Sequence, residues 1–172
     1  MNRRVGRLFR HGLLVAAIVA LPLSGCSSAG MSAFGSNKLA VAEISNIETY
    51  TAEGALAEAR AHFRNDNFGY SAAFYKRAVE LAPNKAEGYV GLSASYDRLG
   101  RFDLSDRVYA SLYQMTGGTA QYYNNVGYSY LLRGNLGEAL KSFRKAQKLE
   151  PDNLVVANNI QILQRAAAES RA

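Results

Sequence analysis

From residue 52 onward the chain repeats itself at one fixed step: Tyr75, Tyr109 and Phe143 are evenly spaced, and so are Ala78, Leu112 and Ala146. Units at 52–85, 86–119 and 120–153 follow one another without an insertion, and each holds two apolar-periodic stretches separated by a turn. A small residue stands well along the first stretch (Ala59, Ser93, Gly127), and three positions later comes His62, Tyr96 or Tyr130. The second stretch opens after Phe68, Phe102 and Leu136 and has small Ser71, Ser105 and Ala139 near its start. A strict period of this kind limits the architecture before any single residue is interpreted. One helix pair cannot bury its apolar face alone, so the pairs must stack on one another. Small residues let paired helices approach closely, and the rings fill the space between one pair and the next.

The punctuation agrees with the period. Gly100 and Gly134, with Asp66 at the matching place, suit tight turns that need a left-handed backbone. Pro83 and Pro151 close the second helices of the first and third units, whereas the middle unit has Gly117-Gly118 there, which predicts a looser junction with the third. Beyond Asn153, the segment 154–168 carries Val155, Ala157, Ile160, Ile162 and Leu163 with Gln161, Gln164 and Arg165, the pattern of a capping helix with a polar outer side. The fold class expected is all-α. In length and pattern the units resemble the tetratricopeptide (TPR) repeat, most cleanly between Tyr123 and Pro151, and the resemblance spans roughly two thirds of the chain. It implies three helix-turn-helix repeats plus a capping helix over 52–172, wound into a superhelix whose concave side is lined mainly by first helices. Ala55 and Glu58 replace residues that are larger and apolar in that pattern, so the first repeat is expected to pack less tightly.

TPR proteins generally bind peptides or partner helices on the concave side, which here would carry Arg60, Arg64, Val90, Arg98, Asn124, Asn125 and Tyr128, then Asn158 and Asn159 from the cap. The pair Asn124-Asn125 recurs one repeat length later as Asn158-Asn159. An amide side chain offers a donor and an acceptor, so a ladder of them can hold the backbone of an extended peptide without demanding one sequence. The arrangement resembles the asparagine ladders of some TPR superhelices, interrupted at Ala57 and Gly91. The same amides could instead satisfy neighbouring backbone or exposed helix surface. Leu56, Gly91 and Gln121 stand where chaperone-binding TPR domains carry their carboxylate clamp, so no such clamp is expected. Most of the tyrosines fall at repeat-core positions, with Tyr70, Tyr113 and Tyr122 left as surface candidates.

Charge and rare residues narrow the function. The formal charge is +6, but Arg3, Arg4, Arg7 and Arg10 supply most of it, and the rest of the chain is close to neutral, so no nucleic-acid face is expected. Cys26 is the single cysteine, which excludes an intrachain disulfide and a thiolate metal cluster. His62, the one imidazole beyond Cys26, takes a position held by tyrosine in the sister repeats and reads as a packed core residue. No metal, cofactor or small-molecule substrate is expected, and the chain does not read as an enzyme. A carboxylate enzyme using Asp97, Asp103 and Asp106 is the alternative, against which exposed acids of this kind are ordinarily solvated surface.

The segment 1–25 has the three parts of a secretory signal: four arginines, the apolar run 13–21, then Pro22 and small residues. That run is shorter than the roughly 18–20 residues a bilayer span requires. Leu23-Ser24-Gly25-Cys26 resembles the lipobox of bacterial lipoproteins, which implies cleavage before Cys26 and its lipidation. Ser27 follows, where lipoproteins kept at a Gram-negative inner membrane typically carry Asp, so the resemblance implies the periplasmic face of the outer membrane. Small residues after the cysteine form a tether, set at 26–50 together with an aperiodic stretch carrying Leu39, Val41, Ile44, Ile47 and Tyr50 that is either a short helix or a packed arm. Lipobox and repeats together resemble the TadD family of tight-adherence (Flp) pilus assembly, on the string from Tyr123 to Gly134 and on Ala157-Asn158-Asn159-Ile160. That resemblance implies a non-enzymatic assembly factor whose partners are a secretin or pilus-assembly proteins. A periplasmic scaffold for peptidoglycan or outer-membrane biogenesis proteins is the second reading.

Overall fold

A computed structural model describes residues 40–170. The signal at 1–25, Cys26 and the small-residue tether lie outside the described residues. Among the described residues the α-helices run in this order: α1 Ala52–Arg64, α2 Phe68–Leu81, α3 Ala86–Arg98, α4 Phe102–Thr116, α5 Ala120–Leu132, α6 Leu136–Leu149 and α7 Leu154–Glu169. No strand forms among them, and each repeat unit holds one helix pair, as the period requires. None of these helices is long and apolar enough to cross a membrane.

Local chemistry sets the helix ends. Thr51 and Thr119 accept hydrogen bonds from the backbone N–H groups of Gly54 and Tyr122, and Asn153 accepts from Val155 and Val156. These caps satisfy donors that the first helical turn leaves open. The three turns inside the pairs share one geometry. Asp66, Gly100 and Gly134 sit at φ of 55°, 68° and 74°. The next residue's N–H returns to a carbonyl five positions back, from Asn67 to His62, Arg101 to Tyr96 and Asn135 to Tyr130, at 2.8–2.9 Å. Glycine enters this left-handed region freely and aspartate tolerates it, which explains the residue types at the three matching positions.

Packing within the pairs follows the small residues. Ala55 and Ala59 are fully buried, and the Ser71 hydroxyl donates to the Ala59 carbonyl at 3.0 Å. A methyl group on Gly127 would lie 2.7 Å from the Phe143 ring, and one on Gly91 only 2.1 Å from the ring of Tyr75. Gly91 interrupts the asparagine ladder because Tyr75 fills the space a side chain would need. The Gly91→Ala variant is therefore expected to lose about 1–3 kcal/mol through overpacking, read as a lowered urea midpoint at unchanged m-value.

Residues 41–50, grouped with the tether on sequence, lie against α2. The Ala42 N–H donates to Gly69 O, a 3-10 turn spans Ile47–Thr49, and Arg77 donates to the Glu48 carbonyl at 2.8 Å. Val41, Ile44, Ile47 and Tyr50 pack onto the core of the first two repeats, with Tyr50 meeting Phe74 edge-on at 5.0 Å. This arm overturns the expectation of a loosely packed first repeat. Bulk from outside the repeat joins the cluster that holds Ala55, while Glu58 is exposed. His62 stacks between Tyr70 and Phe74, at 5.1 and 5.5 Å, as a half-buried packing residue.

Two apolar clusters stand out among the described residues, with buried Leu112, Ala120, Ala146 and Val156 outside both. One joins the arm with the first two repeats through Phe74, Tyr75, Leu92, Tyr96 and Leu99; the other joins the third repeat to the cap through Ala139, Phe143 and Leu163. Helices α4 and α5 share a much smaller interface than α2 and α3, in keeping with Gly117-Gly118 at that junction. Gly117 ends α4 at φ 67°, a conformation open to few other residues. The cap's outer Gln161, Gln164 and Arg165 are exposed, as its polar side requires.

Candidate functional site: a concave groove over the second and third repeats

Helices α3, α5 and α7 occupy the same place in successive repeats and present one face to a shared hollow of about 280 Å³. Its walls include Ala94, Asp97 and Arg98 from α3, Asn124, Asn125, Tyr128 and Leu132 from α5, and Asn159 from α7, with Phe63 at one end and Tyr109 beneath. Five of the concave positions expected from sequence thus converge: Arg98, Asn124, Asn125, Tyr128 and Asn159. The others lie elsewhere. Arg60 is exposed and donates to Glu87 at 2.7 Å, Arg64 is exposed in the last turn of α1, Val90 does not line this hollow, and Asn158 is exposed on the cap beside it.

Of the two roles open to the asparagines, the structural one is seen directly. Asn159 Nδ2 donates to Asn124 Oδ1 at 2.9 Å, and both residues are buried, so part of each amide serves to join the cap to the third repeat. The remaining ends, the Asn124 amide donor and the Asn159 carbonyl acceptor, stay on the groove wall. A donor beside an acceptor matches the pattern a peptide backbone presents. Tyr128 and Leu132 add apolar surface, and Leu132 is exposed. Arg98 is engaged at the rim: its guanidinium lies 4.1 Å from the Phe68 ring centre and reaches Asp66 at 3.3 Å.

Asp97 departs from the sequence expectation. Read there as solvated surface, it is 5% exposed. Its carboxylate accepts from the Tyr109 hydroxyl at 2.8 Å and the Ser129 hydroxyl at 2.6 Å. Arg133 donates to Ser129 at 2.8 Å and to Asp106 at 2.9 Å, so it reaches Asp97 through the serine. Burial pushes the Asp97 carboxyl above the usual carboxylate range, opposed by the hydroxyl donors and, more weakly, by Arg133. Burial, then the adjacent Asp97 charge, raises the Tyr109 phenol well above its ordinary value. This polar network joins the second repeat to the third. A signal for it was present in the repeats: position 97 matches Phe63 and Leu131, so a charged group stands where both sister repeats are apolar, whereas position 133 matches Leu99 and the polar Asn65.

The carboxylate-enzyme alternative finds no assembled site. Asp103 pairs with Arg101, Asp106 with Arg133, and Asp97 with hydroxyls, each acid held by a different partner. Among the described residues, no three His, Cys, Asp or Glu side chains come together as a metal-ligand set.

A stack of three helix pairs and a cap around a concave face is the architecture of a TPR domain, the class of repeat that presents a surface for other proteins. Residues 120–153 match the family model described as tetratricopeptide repeat. A curated relative, the small glutamine-rich tetratricopeptide repeat-containing protein 2 of Mycosarcoma maydis, is 25% identical over 111 residues, covering 63% of this chain and 31% of that protein. The chain therefore spans less than a third of that relative's length. The first TPR domain of human RPAP3 superposes with a TM-score of 0.60 at 17% identity, covering 70% of this chain and 95% of that one. YrrB, described as a TPR protein with an unusual peptide-binding site, gives 0.59 at 20% identity over 65% of this chain and 58% of its own. The fold is that of a TPR superhelix, and its third repeat carries the family's sequence pattern.

Proposed function

We propose that this chain is a lipid-anchored binding module on the periplasmic face of the outer membrane, which helps assemble a pilus or secretion machine by holding a segment of a client protein, a secretin or a pilus-assembly component, in its groove. The observation that carries the binding role is the convergence of Asn124, Asn125, Tyr128 and Asn159 on one hollow with unused amide donor and acceptor groups. The peptide-binding site named for YrrB supports a peptide as occupant. The address rests on the order of arginines, apolar run, small residues and Cys26, followed by Ser27. Acyl chains on Cys26 each contribute about 0.8 kcal/mol per buried methylene, and more than one chain makes attachment stable. Anchoring confines the groove to a thin layer beside the membrane and raises its effective concentration near embedded clients, so modest affinity suffices.

Two measurements test this. A photo-crosslinking residue at Asn125 or Asn158, activated in cells, is expected to capture a secretin or pilus-assembly protein, identified by mass spectrometry. Peptidoglycan hydrolases or outer-membrane biogenesis factors in its place would move the function to an envelope scaffold, and capture of no envelope protein would sink both. The Cys26→Ala variant is expected to pass from the membrane fraction to the soluble one; a variant that stays with the membrane removes the lipid anchor from the account.

A further inference from the structure

The groove has a floor that peptide-backbone recognition does not use. Asp97 lines the hollow, yet the groups around its carboxylate are neutral hydroxyls, those of Tyr109 and Ser129 at hydrogen-bond distance and that of Ser105 beside them. An ionised carboxylate has roughly four lone-pair positions, so even with all three hydroxyls donating one position is left unused. Neighbouring cations are occupied elsewhere. Arg98 stacks on Phe68 and reaches Asp66, and Arg133 is bonded to Ser129 and Asp106. The Asn159 carbonyl end adds a second acceptor on the same wall, while Ala94, Tyr128 and Leu132 supply apolar surface above it. A buried carboxylate without a bonded cation carries a desolvation cost, which a cation entering from the groove would offset. Its raised protonation range, caused first by burial, has the same origin.

We propose that this hollow is an anchor subsite for a basic side chain, a lysine or arginine on an extended segment of the client protein, whose charged end meets Asp97 and Asn159 Oδ1 while its methylene stem lies along Tyr128 and Leu132. The inference rests on the peptide-groove reading above and adds to it the chemistry of the residue selected. The stem length matters as well as the charge, because long basic side chains cover apolar surface while their heads seek polar groups. The polarity is the reverse of a clamp for acidic or carboxylate-terminated peptides.

The test uses the full chain in detergent and immobilised degenerate peptide libraries of one length, each with a fixed central residue: lysine, acetyl-lysine, norleucine or glutamate. The lysine library is expected to be retained about tenfold better than the acetyl-lysine and norleucine libraries, the scale of one desolvated charge pair. The glutamate library is expected to be retained least. In the Asp97→Asn variant, checked for helicity by circular dichroism, the lysine preference is expected to fall to within about twofold, with residual backbone-driven retention kept. The acetyl-lysine comparison needs no variant, so it stands even if that substitution fails to fold. Equal retention of all four libraries by the unaltered chain would overturn the anchor while leaving the groove reading intact. A lysine preference that survives in folded Asp97→Asn protein would also overturn it, by placing the cation elsewhere. Retention of no library would remove the groove reading and the anchor together.

Discussion

Asp97→Ala is expected to lower the stability of the folded domain by about 2–4 kcal/mol, because it takes the carboxylate acceptor from two buried hydroxyls, leaving Tyr109 only the Asn125 carbonyl at 3.3 Å, and opens space at the junction of the second and third repeats. Tyr109 and Ser129 both lose their carboxylate acceptor, and Arg133 loses the serine-mediated partner that helps to orient it. Urea unfolding at neutral pH reads the loss. The pH dependence has a definite sign. Burial raises the native carboxyl above its unfolded value, so between the two values the native state holds a proton that the unfolded state has released. Stability contributed by Asp97 is thus fully present below about pH 3.9, falls as pH rises through the raised native value, and is level beyond it. The Asp97→Asn variant cannot titrate there. The difference in unfolding free energy, native protein minus that variant, is expected to shrink as pH rises through this window. A difference that grows with pH would mean that cation pairing outweighs burial at this site.

The second large effect belongs to Phe143. Phe143→Ala is expected to lose about 3–5 kcal/mol, the usual cost of emptying a large aromatic from a closed core. The ring is fully buried, faces Gly127 and sits in one cluster with Ala139 and Leu163, so it ties α5, α6 and α7 together. The α4–α5 interface is small and the network across it polar, so the loss should not spread evenly. Native-state hydrogen exchange is expected to speed up in α5 to α7 while α1 to α3 retain their protection. Equal acceleration in every helix would show that the repeats open as one cooperative unit. The groove draws Asp97 and Arg98 from one side of this junction and Asn124 and Asn159 from the other, so its width depends on how the two halves pack. Substitutions that loosen the junction are therefore felt at the binding face.

Much of this architecture was legible in the order of residues. The fixed-step recurrence of rings and small side chains determined the helix pairs, their stacking and the capping helix, because each repeat must bury the same face against its neighbour. Glycine or aspartate at positions 66, 100 and 134 determined the left-handed turns, since the backbone requirement there is local. Of the paired asparagines, Asn124, Asn125 and Asn159 line the hollow and Asn158 does not. Tertiary structure alone decided three further matters, each involving partners distant in sequence and outside the period. The arm at 41–50 found its place through apolar contacts and a hydrogen bond to Gly69, none of which repeats elsewhere. The asparagine ladder turned partly inward, because Asn124 and Asn159 come within 2.9 Å of each other only after the cap has packed. Asp97 became a buried acceptor because α4 and α5 brought hydroxyls to it and left it only 5% exposed. Periodicity specifies what every repeat shares, whereas the burial of one charged side chain depends on which neighbours the finished superhelix sets around it.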